Sequence, residues 1–174
     1  MEKILILNTG GTFNKRYNPI KGELEVPTDG IAVEGILRYC YNTSYELLNI
    51  VHKDSLEMDE ADRELIVQTI KNSPCRKVLI VHGTDTMDVT ATFLALHLKD
   101  RIINLTGTMV PFSIDTVEAT ANFMMALGDL QLREECGVNL CMHGAVAKHG
   151  SIYKNRQKGI LSSARELLIL LFYA

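Results

Sequence analysis

KILILNTGGTF, residues 3–13, runs four aliphatic side chains, Ile4-Leu5-Ile6-Leu7, straight into a polar turn built on Gly10-Gly11. Short aliphatic runs that end in turn residues mark strands buried on both faces of a sheet. The pattern repeats at KVLIVHGTDT, residues 77–86, and strand-like runs also stand at YELLNIVH (45–52), RIINLT (101–106) and VNLCMH (138–143). Between them lie amphipathic stretches of helical length. Residues 31–41 place Val33, Ile36, Leu37 and Cys40 on one side, and residues 59–72 place Ala61, Leu65, Ile66, Thr69 and Ile70. Residues 88–98 carry Ala91, Leu94, Ala95 and Leu98, and residues 117–132 carry Ala121, Met124, Met125 and Leu130. Strand then helix, repeated four times, predicts an α/β domain with a mostly parallel sheet. Right-handed crossovers narrow this to a doubly wound, three-layer α/β/α sandwich of the flavodoxin or Rossmann kind.

Two segments break the rhythm. Residues 14–30 are polar and hold Pro19, Gly22, Pro27 and Gly30, which reads as an extended loop or a small hairpin. Residues 162–173 read as a final helix, apolar nearly all round at Leu167, Leu168, Leu170, Leu171 and Phe172. Such a helix needs a core or a partner chain to cover it.

Composition bounds the function. At 174 residues and 47 % hydrophobic content the chain suits one self-standing domain. With 22 % charged residues, a net charge of −3 and scattered basic side chains, nothing points to a nucleic-acid surface. The first apolar run is too short for a signal peptide and carries Glu2 where a basic region belongs. No run approaches the ~20 residues that span a bilayer. The expected location is therefore cytoplasmic, with the four cysteines as free thiols. His143 and His149 have no carboxylate at ligand spacing, so no metal is expected.

In an open parallel sheet, ligands bind where the strands end in carboxyl-edge loops. Gly11-Thr12 follows the first strand, Asp54-Ser55 the second, Gly83-Thr84-Asp85 the third and Gly107-Thr108 the fourth; Lys154 comes after the fifth. The polar clusters therefore converge on one edge. A threonine hydroxyl is a weak nucleophile until a neighbour takes its proton. Lys154 beside Thr84 and Asp85 would complete a Thr-Lys-Asp relay that follows the Ser-His-Asp logic with an amine as base. Each piece also has a plainer reading. TGGT alone fits a simple turn or a phosphate loop, and HGTDT alone fits a helix start capped by Thr84 or Asp85. Lys154 alone fits a solvated lysine, His82 a structural histidine at a strand end, and Tyr17 an exposed aromatic.

TGGT after the first strand and HGTDT after the third, both unaltered here, resemble the paired signatures of the bacterial-type L-asparaginases and glutaminase-asparaginases. The resemblance runs from the N-terminus to about Lys154. It implies that Thr12 matches the first nucleophilic threonine, and Thr84 and Asp85 the second threonine and the aspartate of the triad. Lys154 matches the catalytic lysine, and Tyr17 stands for the flexible-loop tyrosine. It further implies substrate contacts from Gly11, Ser55, Glu57, Gly83 and Thr108, with Ser55 on the substrate carboxylate. Gly107-Thr108-Met109-Val110-Pro111 is similar to the family's Gly-Ala-Met-Arg-Pro segment, with Val110 in place of the arginine, and residues 112–118 run longer. The family's C-terminal domain, which contributes to a neighbour's site, is expected to be absent, leaving residues 1–174 as one domain.

The expected function is an amidohydrolase acting on L-asparagine or a related small amide through a threonine nucleophile, without a cofactor, in a homo-oligomer (dimer or tetramer). The rival is an amino-acid-binding regulatory domain that keeps the pocket without turnover. A nucleotide-binding flavodoxin-like protein is weaker, because neither GxGxxG nor GxxxxGK[ST] occurs.

Overall fold

A computed structural model of the chain describes residues 2–155 and 157–163. Its strands are β1 (Ile4–Gly10), β2 (Arg16–Asn18), β3 (Glu23–Glu25), β4 (Tyr45–Lys53), β5 (Lys77–Val81), β6 (Ile102–Thr106), β7 (Gly137–Met142), β8 (Ala145–Lys148), β9 (Ile152–Asn155) and β10 (Ile160–Ser163). Its helices are α1 (Ile31–Leu37), α2 (Glu60–Asn72), α3 (Met87–His97) and α4 (Thr116–Leu132). The main sheet has six strands in the order β4-β1-β5-β6-β7-β8. All neighbours are parallel except β7 and β8. Counting only parallel strands, the order is 2-1-3-4-5, the flavodoxin-like winding, whose switch point falls between β1 and β5.

Alternation along the strands builds the three layers. Leu5, Leu7, Val78, Ile80, Ile103 and Leu105 face α2 and α3. Ile4, Ile6, Leu79, Val81 and Ile102 face α1 and α4. That division overturns one expectation. The β6–α4–β7 connection steps across the sheet in the same direction as those carrying α2 and α3, yet α4 packs on the opposite face. Its hand is opposite to the other three; with those right-handed, as nearly all are, it is left-handed.

Other boundaries shift for local reasons. α1 ends at Leu37, and the chain tightens into three-residue turns at Tyr39 and Cys40. The 14–30 segment contains the β2–β3 hairpin. β4 is an edge strand, half-buried where β1, β5 and β6 are fully buried. It also bulges: Asn8 pairs Asn49, but Gly10 pairs Lys53, so four residues of β4 oppose two of β1. Val51 (φ 70°) and His52 (φ 57°) absorb the excess in left-handed conformations that cost a β-branched valine energy. Of the expected tail helix over 162–173, Ser162 and Ser163 belong to β10, and the remainder lies outside the described residues.

Candidate active site

The carboxyl ends of β1 and β5 meet at the switch point, and glycines set how closely. Gly11 has φ 71° and ψ −174°, a backbone region open essentially to glycine alone. A Cβ on Gly11 would lie 2.5 Å from both Cα and N of Gly83. A Cβ on Gly83 would in turn lie 2.7 Å from the Ser55 side chain. The loops after β1, β5 and β4 are thus stacked backbone on backbone. Thr9, the first threonine of TGGT, is structural: its hydroxyl donates to the Val81 carbonyl at 2.9 Å and ties β1 to β5. Asn14 holds the turn closed by donating to Asn8 (2.7 Å) and to the Gly10 carbonyl (2.7 Å). The bulge in β4 carries Ser55 over this junction, with the Gly11 N–H donating to the Lys53 carbonyl at 2.9 Å.

Thr84 follows Gly83 and is almost fully buried. Lys154 Nζ donates to Thr84 Oγ1 at 2.9 Å and lies 3.0 Å from Asp85 Oδ1, which brings the three relay residues into contact. The Thr84 hydroxyl also donates to Met109 Sδ at 3.6 Å. Ser55 is buried, and its Oγ accepts the Asp85 N–H at 3.2 Å. Neither Thr84 nor Asp85 serves as a helix cap. The N-cap of α3 is Thr86, whose hydroxyl donates instead to the Ser55 carbonyl at 2.8 Å. Nor is Ser55 needed to start α2, since the Asp59 carboxylate accepts the Asp62 N–H.

The other expected site residues are placed as follows. Thr12 opens a three-residue 3-10 turn, Thr12–Asn14, directly after Gly11 and is half-buried. Thr108 is buried and donates to the Val110 carbonyl at 2.8 Å, so it shapes its own loop. Glu57 is exposed, and its carboxylate closes a capping box on the Asp54 N–H at 3.2 Å. Tyr17 lies on β2, 64 % exposed, and its side chain makes no hydrogen bond among the described residues. The structure does not bring it to the cluster.

His82 supports the floor. Its Nδ1–H donates to the Gly83 carbonyl at 2.7 Å, and full burial pushes the imidazole down to about 4, so it is neutral at pH 7. Sequence reasoning missed several supports. Glu118, in the first turn of α4, accepts the N–H groups of Met109 (2.8 Å) and Val110 (3.0 Å) and lies 2.8 Å from His143 Nε2. Burial alone would raise its carboxyl, but these bonds hold it below the usual carboxylate range. Asn122 donates to the Gly107 carbonyl and accepts the His143 N–H, both at 2.9 Å. The opposite-hand crossover makes this possible by laying α4 beneath the 107–110 loop. The Phe13–Phe112 stack and the Ser113 hydroxyl on the Lys15 carbonyl (2.7 Å) join that loop to the Thr12 turn. A helical signal alone gave no sign of these roles; the acidic residue seven positions beyond the proline of Gly-Thr-Met-Val-Pro was a pointer.

Lys154 lies on β9, not in a loop. β9 and β10 form an antiparallel hairpin whose Ile152 and Leu161 pack on the α2–α3 side of the core. The hairpin therefore has an anchored base from which the lysine reaches Thr84.

Comparison with known proteins bears on the family and the fold. The family model described as "Asparaginase, N-terminal" matches residues 3–161. A curated L-asparaginase from Thermococcus kodakarensis is 26 % identical over 129 residues, 72 % of this chain and 39 % of the relative. The fold is similar to the thermostable L-asparaginase of that organism (TM-score 0.81, 21 % identity, 92 % of this chain and 51 % of that one). It is also similar to L-asparaginase I from Vibrio cholerae (TM-score 0.78, 22 % identity, 93 % and 51 %). The chain spans about half the length of these structures, and less of the curated relative. With both threonine loops, Lys154 and nearly the whole described chain inside the matched region, this protein belongs to the asparaginase family through its N-terminal domain.

Proposed function

We propose that the chain forms the catalytic half of an amidohydrolase that releases ammonia from the side-chain amide of L-asparagine or a closely related small amide. The observation that carries this reading is the Lys154 amine held 2.9 Å from the Thr84 hydroxyl and 3.0 Å from the Asp85 carboxylate. In its amine form Lys154 takes the threonine proton, and Asp85 stabilises the ammonium that results. A threonine oxygen then attacks the amide carbon, the C–N bond breaks as the nitrogen takes up a proton and leaves as ammonia, and water cleaves the acyl ester. Backbone N–H groups of the glycine turns are suited to stabilise the oxyanion. Thr84 is in direct contact with the relay, and Thr12 follows the glycine packed on the Thr84 loop. These steps use only the chain's own residues.

An ammonia-release assay over asparagine, glutamine and simple amides tests the reading, with Thr12→Ala and Thr84→Ala as controls. Mass spectrometry of quenched reactions identifies which threonine carries the acyl group. Tight amino-acid binding without ammonia release would favour the regulatory-domain alternative. We further propose a cytoplasmic homo-oligomer, a dimer or tetramer. The exposed apolar side chains of Tyr39, Val117 and Met124 on the α1–α4 side support a subunit contact. Among the described residues no helix is long and apolar enough to cross a membrane. Light scattering giving a clean particle of the 19.4 kDa monomer mass would exclude the oligomer.

A further inference from the structure

Glu118 stands at the third residue of α4, where an acidic side chain ordinarily folds back to complete a capping box. Here it does not. Asp115 caps the helix by accepting the Val117 N–H at 2.8 Å, and the Asp115 N–H goes to the Pro111 carbonyl at 3.0 Å. The Glu118 carboxylate turns to the 107–110 loop instead. Its Oε1 accepts the Met109 N–H (2.8 Å) and faces His143 Nε2 (2.8 Å), while Oε2 accepts the Val110 N–H (3.0 Å). These bonds favour the ionised form, and so does the positive end of the α4 dipole. Asn122, one turn further along α4, holds the other end of the loop by donating to the Gly107 carbonyl at 2.9 Å. Two side chains of one helix thus fix residues 107–110 at both ends.

That loop touches Thr84 at two points. A Cβ on Gly107 would lie 3.2 Å from Thr84 Cγ2, so the threonine methyl rests against this backbone. Met109 Sδ accepts the Thr84 hydroxyl at 3.6 Å, and the same hydroxyl oxygen accepts from Lys154 Nζ at 2.9 Å. The methyl and the hydroxyl of one buried, β-branched side chain therefore both have their places set by the loop. Turning Thr84 to another staggered rotamer would carry its hydroxyl off Lys154. A thioether is a weak acceptor, so Met109 orients the hydroxyl without competing with the amine for its proton.

We infer that Glu118 is a positioning residue for the reaction: by clamping the Met109 and Val110 N–H groups it holds the 107–110 loop against Thr84 and so presents the Thr84 hydroxyl to Lys154. This deepens the amidohydrolase reading and rests on it for the reaction itself. Glu118 lies outside the relay and acts through Met109. The clamp needs a carboxylate, because two converging N–H groups require two acceptor oxygens. A glutamine at this position would turn its NH2 group towards one of them, and a donor facing a donor breaks that bond.

The test is a double-mutant cycle on turnover of asparagine. Met109→Leu removes the sulfur at nearly constant volume, and Glu118→Gln removes one of the two clamping bonds. Each should lower kcat about tenfold or more with KM within about twofold of the parent, since a misplacement of about 1 Å at a reacting group costs up to about a hundredfold. The double variant should be no slower than the worse single, because both changes cut the same path. Losses that multiply in the double variant would overturn the inference, as would an unchanged kcat in either single. A Glu118 that only stabilised the fold would lower Tm and leave kcat per folded molecule intact. Methionine-methyl NMR repeats the test without turnover, with the Met109 resonance identified by its loss in Met109→Leu. That resonance should shift in Thr84→Val, which replaces the hydroxyl by a methyl, and in Glu118→Gln. A parent that releases no ammonia but shows both shifts refutes the amidohydrolase reading and leaves the clamp intact. If Glu118→Gln does not fold, Glu118→Asp, which keeps the charge but shortens the reach, enters the same cycle and the same spectrum. A Met109 resonance unmoved by the Glu118 variant would overturn the inference.

Discussion

Replacing Gly11 by alanine puts a single methyl group at the point where the two threonine loops touch. The added Cβ would lie 2.5 Å from Gly83 Cα and N, both backbone atoms that cannot swing aside. Overpacking of this kind costs roughly 1–3 kcal/mol. The backbone at φ 71° and ψ −174° adds strain of about 1–3 kcal/mol for any residue with a side chain. Together these predict a loss of roughly 4 kcal/mol, or about 8–16 °C in Tm at this chain length. Gly22→Ala is the matched control. Gly22 also has positive φ (73°), but a Cβ there meets nothing within 4 Å, so only about 1 kcal/mol of strain is expected. Thermal unfolding followed by circular dichroism reads the difference. Ammonia release reads the functional half: parting the Thr12 and Thr84 loops by a fraction of an ångström or more should lower turnover about a hundredfold in Gly11→Ala and leave Gly22→Ala unchanged. A Tm for Gly11→Ala no lower than that of the control would refute the close-packed junction. Full turnover in Gly11→Ala would refute the claim that the two loops act together.

Thr12→Ala and Thr84→Ala should each cut turnover by several orders of magnitude, because on the proposed mechanism each removes a reacting hydroxyl; Tm should shift little for the half-buried Thr12 and further for the buried Thr84, whose hydroxyl is bonded to Lys154, and unchanged rates would place the chemistry elsewhere. Lys154→Met should abolish turnover yet keep aspartate binding in a calorimetric titration, and loss of both would make Lys154 a ligand contact. His82 gives a pH prediction. Its folded value near 4 lies below the unfolded 6.5, so the unfolded chain binds more protons between these values and stability falls as pH drops through that window. Between pH 7.5 and 5, urea unfolding should show a loss of roughly 2 kcal/mol that His82→Gln largely removes; an identical pH dependence in the variant would refute the buried neutral imidazole. That window lies above the range where the depressed carboxyls of Asp54, Asp62 and Glu118 take up protons.

The five parallel strands were legible because each buries a continuous aliphatic run, and the polar loops after them were legible because glycine and threonine interrupt those runs. Thr84 and Asp85 could therefore be placed at a carboxyl-edge loop before any coordinates, whereas the roles expected of Ser55 and Lys154 leaned on the family resemblance. β8 was missed although a sign was present: His143-Gly144 is a two-residue turn with both residues at positive φ, and Met142 pairs Ala145 across it. The β9–β10 hairpin was missed because its sequences lack an apolar run, and its stability comes from docking Ile152 and Leu161 on the core. The opposite-hand crossover has no local code at all, since hand is decided by which face of the sheet a helix finds to cover. Glu118 reads as an ordinary charged helix position, and only its hydrogen bonds set it apart. Tyr17 was named from the family resemblance alone, and its place is the exposed β2–β3 hairpin.

The hairpin that carries Lys154 also fixes when the relay can assemble. Thr84 is synthesised 70 residues before the lysine that contacts it, and Thr9 must wait 72 residues for its partner Val81. Domains emerge from the ribosome amino end first, and contacts so distant in sequence form slowly. A growing chain therefore displays Thr84 before the lysine that, on the proposed mechanism, takes its proton. The lysine joins only after β7 and β8 have left the exit tunnel and β9 has found its place beside α3. On the proposed mechanism the Thr84 hydroxyl thus meets its base only once the β9 strand has docked on the core.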